Sequence, residues 1–88
     1  MNLQITIEVT KKGAWYLARI PELDFISQGR TQEEAKKNLL EVLKIQFDEM
    51  RALGTLEDYL NECGFEMKDN EVIPKIEIVG FERSMVSL

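Results

Sequence analysis

Four carboxylates, Glu8, Glu22, Asp24 and Glu77, fall near the ends of segments with strand character. Three or four carboxylates converging on one point can hold two divalent ions about 3.5–4 Å apart and drive phosphodiester hydrolysis. Glu8, however, sits on the polar face of its segment, and Glu22 and Asp24 flank a turn, which favours solvated surface acids. The chain has no histidine, so the usual near-neutral acid/base group and the commonest metal ligand are both missing. Its single cysteine, Cys63, can complete neither a Cys/His dyad nor a structural zinc site. Gln28-Gly29-Arg30-Thr31 places a glycine before a helix start, as phosphate loops do. One glycine is too few for a cradle, and Glu33 and Glu34 would repel an anion there. Trp15 and Tyr16 could stack on bases, but no basic groove accompanies them. We therefore assign no catalytic residue, no metal ligand and no cofactor-binding residue, and expect a protein that is not an enzyme.

The net charge is -5, from 11 basic and 16 acidic residues. A nucleic-acid binder needs a basic face to displace counterions from phosphates. Here Lys11, Lys12, Lys36, Lys37, Lys44 and Lys75 are dispersed among acids, so no strong nucleic-acid binding is expected. An acidic chain is suited to meeting a basic protein, although the same charge also serves solubility. Eighty-eight residues fit one domain with a thin core, for which self-association is a natural source of extra burial. There is no apolar run of membrane-spanning length and no signal-peptide pattern. With the lone cysteine, this predicts a cytoplasmic location and no membrane partner.

These residues must be positioned by elements that the patterning predicts. Leu3, Ile5, Ile7 and Val9 alternate with polar residues, the period of a strand with one buried face. Lys11-Lys12-Gly13 reads as a turn and Ala14–Ile20 as the returning strand. That strand is apolar on both sides and is therefore expected to be central. Pro21 breaks it, and Phe25–Gln28 forms a short third strand. Gly29 then makes a turn, and Thr31 with Glu34 three residues on has capping-box spacing, in which each side chain answers the other's amide. From Gln32 the period is helical, with Ala35, Leu39, Val42, Leu43, Met50 and Leu53 on one stripe. Leu40, Ile45 and Phe47 lie outside it and widen the apolar surface. Trp15, Leu17, Leu40 and Phe47 are the candidate residues for oligomer or partner contact. Gly54 ends the helix, Thr55 caps a short second one to about Cys63, and Gly64 stops that. Lys68-Asp69-Asn70 is turn-like, and a last strand begins at Lys75, after Pro74. The fold class is α+β: an antiparallel sheet in the order β-β-β-α-(short α)-β with the long helix on one face. It forms one domain, 1–88, with a core module over 1–53 and the short helix and C-terminal strand over 54–88.

The order LQITIEV, Gly13, Trp15-Tyr16-Leu17-Ala18, Ile20-Pro21-Glu22-Leu23, Gln28-Gly29-Arg30-Thr31 and Glu34-Ala35 resembles the N-terminal module of the HicB family. These are the antitoxin halves of small prokaryotic toxin–antitoxin pairs. The resemblance covers Leu3 to about Met50, with Asp24-Phe25 standing where the family usually has Pro-Gly. No DNA-binding module of the family's kind is evident after Met50. The resemblance implies a partial RNase H-like fold and capture of a small basic HicA-type ribonuclease toxin by covering its active site. A homo-oligomeric scaffold domain with no toxin partner is the alternative.

Overall fold

The computed structural model describes residues 2–88. Eight elements follow one another: β1 (Asn2–Leu3), β2 (Glu8–Lys12), β3 (Trp15–Ile20), β4 (Phe25–Gly29), α1 (Gln32–Leu53), α2 (Leu56–Glu62), β5 (Phe65–Lys68) and β6 (Glu71–Pro74). They form two three-stranded sheets, β2-β3-β4 and β1-β6-β5. The first is antiparallel throughout, whereas β1 runs parallel to β6. The α+β class and the long helix on one sheet face are as the sequence predicts, and the twice-apolar β3 is the central strand.

The alternating N-terminal segment is not one continuous strand. Leu3, Ile5, Ile7 and Val9 all pack against the core, so the period of two survives, but the hydrogen bonding changes hands along it. Asn2 and Gln4 donate to the carbonyls of Asn70 and Val72, and from Glu8 the chain pairs with β3. Between the two ladders the Glu22 carboxylate accepts from the Thr6 amide (3.1 Å) and the Thr6 hydroxyl (2.6 Å). A buried or half-buried amide without a ladder partner needs a substitute acceptor, and Glu22 is that substitute. Lys11 and Lys12, expected in a turn, lie in β2 instead, and the turn is Gly13-Ala14. The break at Pro21 is a tight turn in which the Leu23 and Asp24 amides both donate to the Ile20 carbonyl. Asp24 adopts φ 58, the left-handed region that Asp tolerates better than most residues.

Helix α1 begins as its sequence predicts. Thr31, in extended conformation, accepts from the Glu34 amide at 3.0 Å. The reciprocal bond from the Thr31 amide to the Glu34 side chain is absent among the described residues, so only half of the capping box forms. Gly29 is not at positive φ. Its role is close approach: an added Cβ would lie 2.6 Å from the Ala35 nitrogen and 2.9 Å from Glu34 carbon atoms. At the other end Gly54 is left-handed (φ 73), its amide reaching Arg51 while the Thr55 amide reaches Met50. This is a Schellman ending. Thr55 makes no side-chain cap for α2, because its hydroxyl donates back to the Met50 carbonyl. On the exposed side of α1, Lys44 and Asp48 form an i,i+4 ion pair (3.0 Å).

The buried row of α1 runs Ala35, Leu39, Leu43, Phe47, Met50, a steeper line than the stripe the sequence suggests. Phe47, at 7% exposure, is core and not a contact residue, while Val42 and Leu53 are exposed. The reason is aromatic packing: Phe25 of β4, Phe47 of α1 and Tyr59 of α2 meet with ring centroids 6.4–6.5 Å apart. Phe25 and Tyr59 stack, and Phe47 meets both edge-on, the arrangements aromatic quadrupoles favour. The Tyr59 hydroxyl donates to the Leu23 carbonyl at 3.3 Å. The expected last strand from Lys75 does not exist. The strands fall earlier, as the β5–β6 hairpin around Asp69-Asn70, and Pro74 ends β6. Residues 75–88 have no regular structure and are exposed.

Three expected outcomes follow from these contacts. Thr31→Ala removes one capping acceptor and should cost about 0.5–2 kcal/mol, with Thr31→Ser nearly neutral. Gly29→Ala should cost more than Thr31→Ala in the same denaturant titrations, because its methyl meets backbone. Burial, aided by the Cys63 side chain and then by Asp24, pushes the Tyr59 phenol from 10.0 up to about 12. A raised folded-state pKa favours the neutral phenol, so this contribution to stability is complete below pH 10 and is lost as pH rises through 12. Tyr59→Phe should flatten that alkaline decline, read as melting temperature against pH.

Candidate protein-contact surface

The register of the β2-β3-β4 sheet sets out its two faces. Inward lie Val9, Ala18 and Ile20, with Ala18 and Ile20 fully buried under α1. Outward, three rows of cross-strand neighbours are fixed by pairing: Glu8, Arg19 and Ile26; Thr10, Leu17 and Gln28; Lys12 and Trp15. Residues directly opposite on one face lie close enough to interact. Among the described residues no helix or strand packs on this outer face, since α1 covers the other side.

The outer face has an apolar middle and charged ends. Ile26 is 57% and Trp15 39% exposed, with half-buried Leu17 between them in the next row. At one end Arg19 is flanked by Glu8 (3.6 Å) and Asp24 (3.4 Å). These exposed pairs contribute little to stability, but they hold two carboxylates beside Ile26. At the other end the Arg30 guanidinium lies 4.9 Å from the centre of the Trp15 ring, a cation–π contact that steadies the indole in a half-exposed position. An apolar centre with a polar rim is the anatomy of a protein-binding patch.

The candidate residues are not gathered in one place. Trp15 and Leu17 share the outer face, Leu40 stands exposed (45%) on α1, and Phe47 is interior. Tyr16 points inward to pack against the core, so Trp15 and Tyr16 cannot form one stacking platform. Of the four carboxylates only Glu8 and Asp24 come near each other, on either side of Arg19, while Glu22 pairs with Thr6 and Glu77 lies in the exposed C-terminal segment. Among the described residues no three His, Cys, Asp or Glu side chains are gathered as metal ligands would be. Cys63 is a free, half-buried thiol. No helix of the described residues is long and apolar enough to cross a membrane.

Two residues of this surface escape the sequence reading. Ile26 alternates with the inward Phe25 and Ser27, and that alternation is the signal that marks it as outward. Arg30 carries no signal, because its contact with Trp15 depends on the β4–α1 connection. No family model, curated protein or solved structure significantly matches the chain.

The outer face makes a stability prediction of its own. Ile26→Asp and Leu17→Thr remove no core contact, so each should change stability by no more than about 0.5 kcal/mol, whereas Phe47→Ala should lose about 3–5 kcal/mol. Chemical denaturation of the three variants checks the contrast.

Proposed function

We propose that this chain is an antitoxin-type binding protein of the HicB kind, which neutralises a small basic HicA-type ribonuclease by covering its active site. The observation that supports this most directly is the uncovered outer sheet face, with Trp15, Leu17 and Ile26 between charged ends. Its Glu8–Asp24 end offers carboxylates to a cationic RNA-binding surface. The net charge of -5 favours rapid encounter with a basic partner at low salt. Neutralisation then needs no chemistry from this chain: a bound protein excludes RNA from the site it covers. The ordered motifs between Leu3 and Met50 support the same reading.

A homo-oligomeric scaffold domain without a toxin is the second reading, favoured by the exposed apolar residues of 75–88. Mixing the purified chain with a purified HicA-type ribonuclease separates the two. We expect stoichiometric loss of RNA cleavage and a co-eluting complex. We also expect Ile26→Asp to weaken capture by at least roughly tenfold with the melting temperature unchanged. Undiminished cleavage at excess chain would contradict the proposal and leave the scaffold reading.

A further inference from the structure

The segment 75–88, KIEIVGFERSMVSL, has the composition of a strand and the environment of none. Ile76, Val79, Phe81, Met85, Val86 and Leu88 are each at least 72% exposed. The last backbone hydrogen bond before the C-terminus is from the Lys75 amide to the Gly64 carbonyl (2.8 Å). Among the described residues, none follows. Ile78, at 41%, is partly covered, so within this chain the segment's need for ladder partners is unmet and its need for apolar cover is met only there.

The open sheet edges differ in what they can accept. β1 is two residues long, and β4 lies along α1, with the Asn38 side chain already donating to the Gln28 carbonyl (2.8 Å). β5 is four residues long and lies against α2. β2 is five residues long, pairs on one side only with β3 and has little helix over it. Arg83 lines a cavity beside Val9, Thr10 and Lys11 but, among the described residues, makes no ladder bond to them. The β2 strand also carries Lys11 and Lys12, opposite in charge to Glu77, the one charged residue of 76–81.

The geometry points to an exchanged arm: residues 76–81 of one copy add as a strand to the β2 edge of a second copy, and the second copy returns its own arm. Such pairing gives main-chain hydrogen bonds to an open edge and cover to alternate side chains. In two arms the four large apolar side chains of 76–81, Ile76, Ile78, Val79 and Phe81, withdraw about 800 Å² at roughly 100 Å² each, and the edges that receive them add a smaller area. The sum lies at the small end of specific interfaces. At about 3.3 Å per residue the six residues 76–81 span about 20 Å and leave directly from Lys75, which is held to Gly64, so the second copy's β2 edge lies against that point. The arm would leave the outer sheet face free, and it does not depend on a toxin being bound.

The test is the mass of the purified full chain by light scattering at tens of micromolar, with amide hydrogen exchange in the same sample. We expect a dimer in which the amides of 76–81 are protected, and in which protection falls on dilution. Consecutive strand amides point to opposite sides, so Ile78→Pro or Val79→Pro must remove a donor from the new ladder. At least one of them should weaken dimerisation by at least roughly tenfold, with the monomer's melting temperature unchanged. A monomeric mass, a dimer whose 76–81 amides exchange freely, or a dimer indifferent to both prolines would each overturn the inference.

Discussion

The first turn of α1 lies so close to the end of β4 that a methyl group at Gly29 would sit 2.6 Å from the Ala35 nitrogen. That approach sets the height and direction of the whole helix over the sheet. Ala35, fully buried, is small for the same reason, and Thr31 caps the helix just where β4 releases the chain. Once the helix axis is fixed there, Leu39, Leu43 and Phe47 fall in line above β3 and β4, and Phe47 arrives between Phe25 and Tyr59. The aromatic triad then fixes α2, and α2 supports the β5–β6 hairpin.

Because the helix is committed to β4 and β3, it leaves two surfaces without cover: the outer sheet face and the β2 edge. Neither is an accident of exposed single residues. The outer face is organised by register into rows, with Arg19 held by two carboxylates and Trp15 by Arg30. The edge has lysines where a neighbouring strand would carry acids. We propose different occupants for the two surfaces, a globular basic partner on the face and a strand on the edge.

The local features were readable in the sequence because their causes are local. The Thr31 cap, the Gly54 ending, the central position of β3 and the inward Leu3, Ile5, Ile7 and Val9 each depend on a few neighbouring residues. The failures share a different origin. Phe47 reads as a surface residue in the sequence because its burial depends on rings 22 residues before it and 12 after it. Glu22 looked like a surface acid because its partner, Thr6, is 16 residues away. Ile76 and Ile78 read as a strand because their side chains have that propensity, but a strand needs a partner and this chain supplies none. Gly29 stands out in the sequence as a turn glycine, yet its φ is not positive and its role is close approach.

The central claim is that the outer face of the β2-β3-β4 sheet is where a basic protein binds, and the chain carries a direct reporter of it. Trp15 is the only tryptophan and stands on that face under Arg30. In a complex with a tryptophan-free HicA-type ribonuclease, confirmed by mass, its emission should shift to shorter wavelength and acrylamide quenching should fall severalfold. Unchanged emission and quenching in that confirmed complex would place the partner elsewhere and contradict the account.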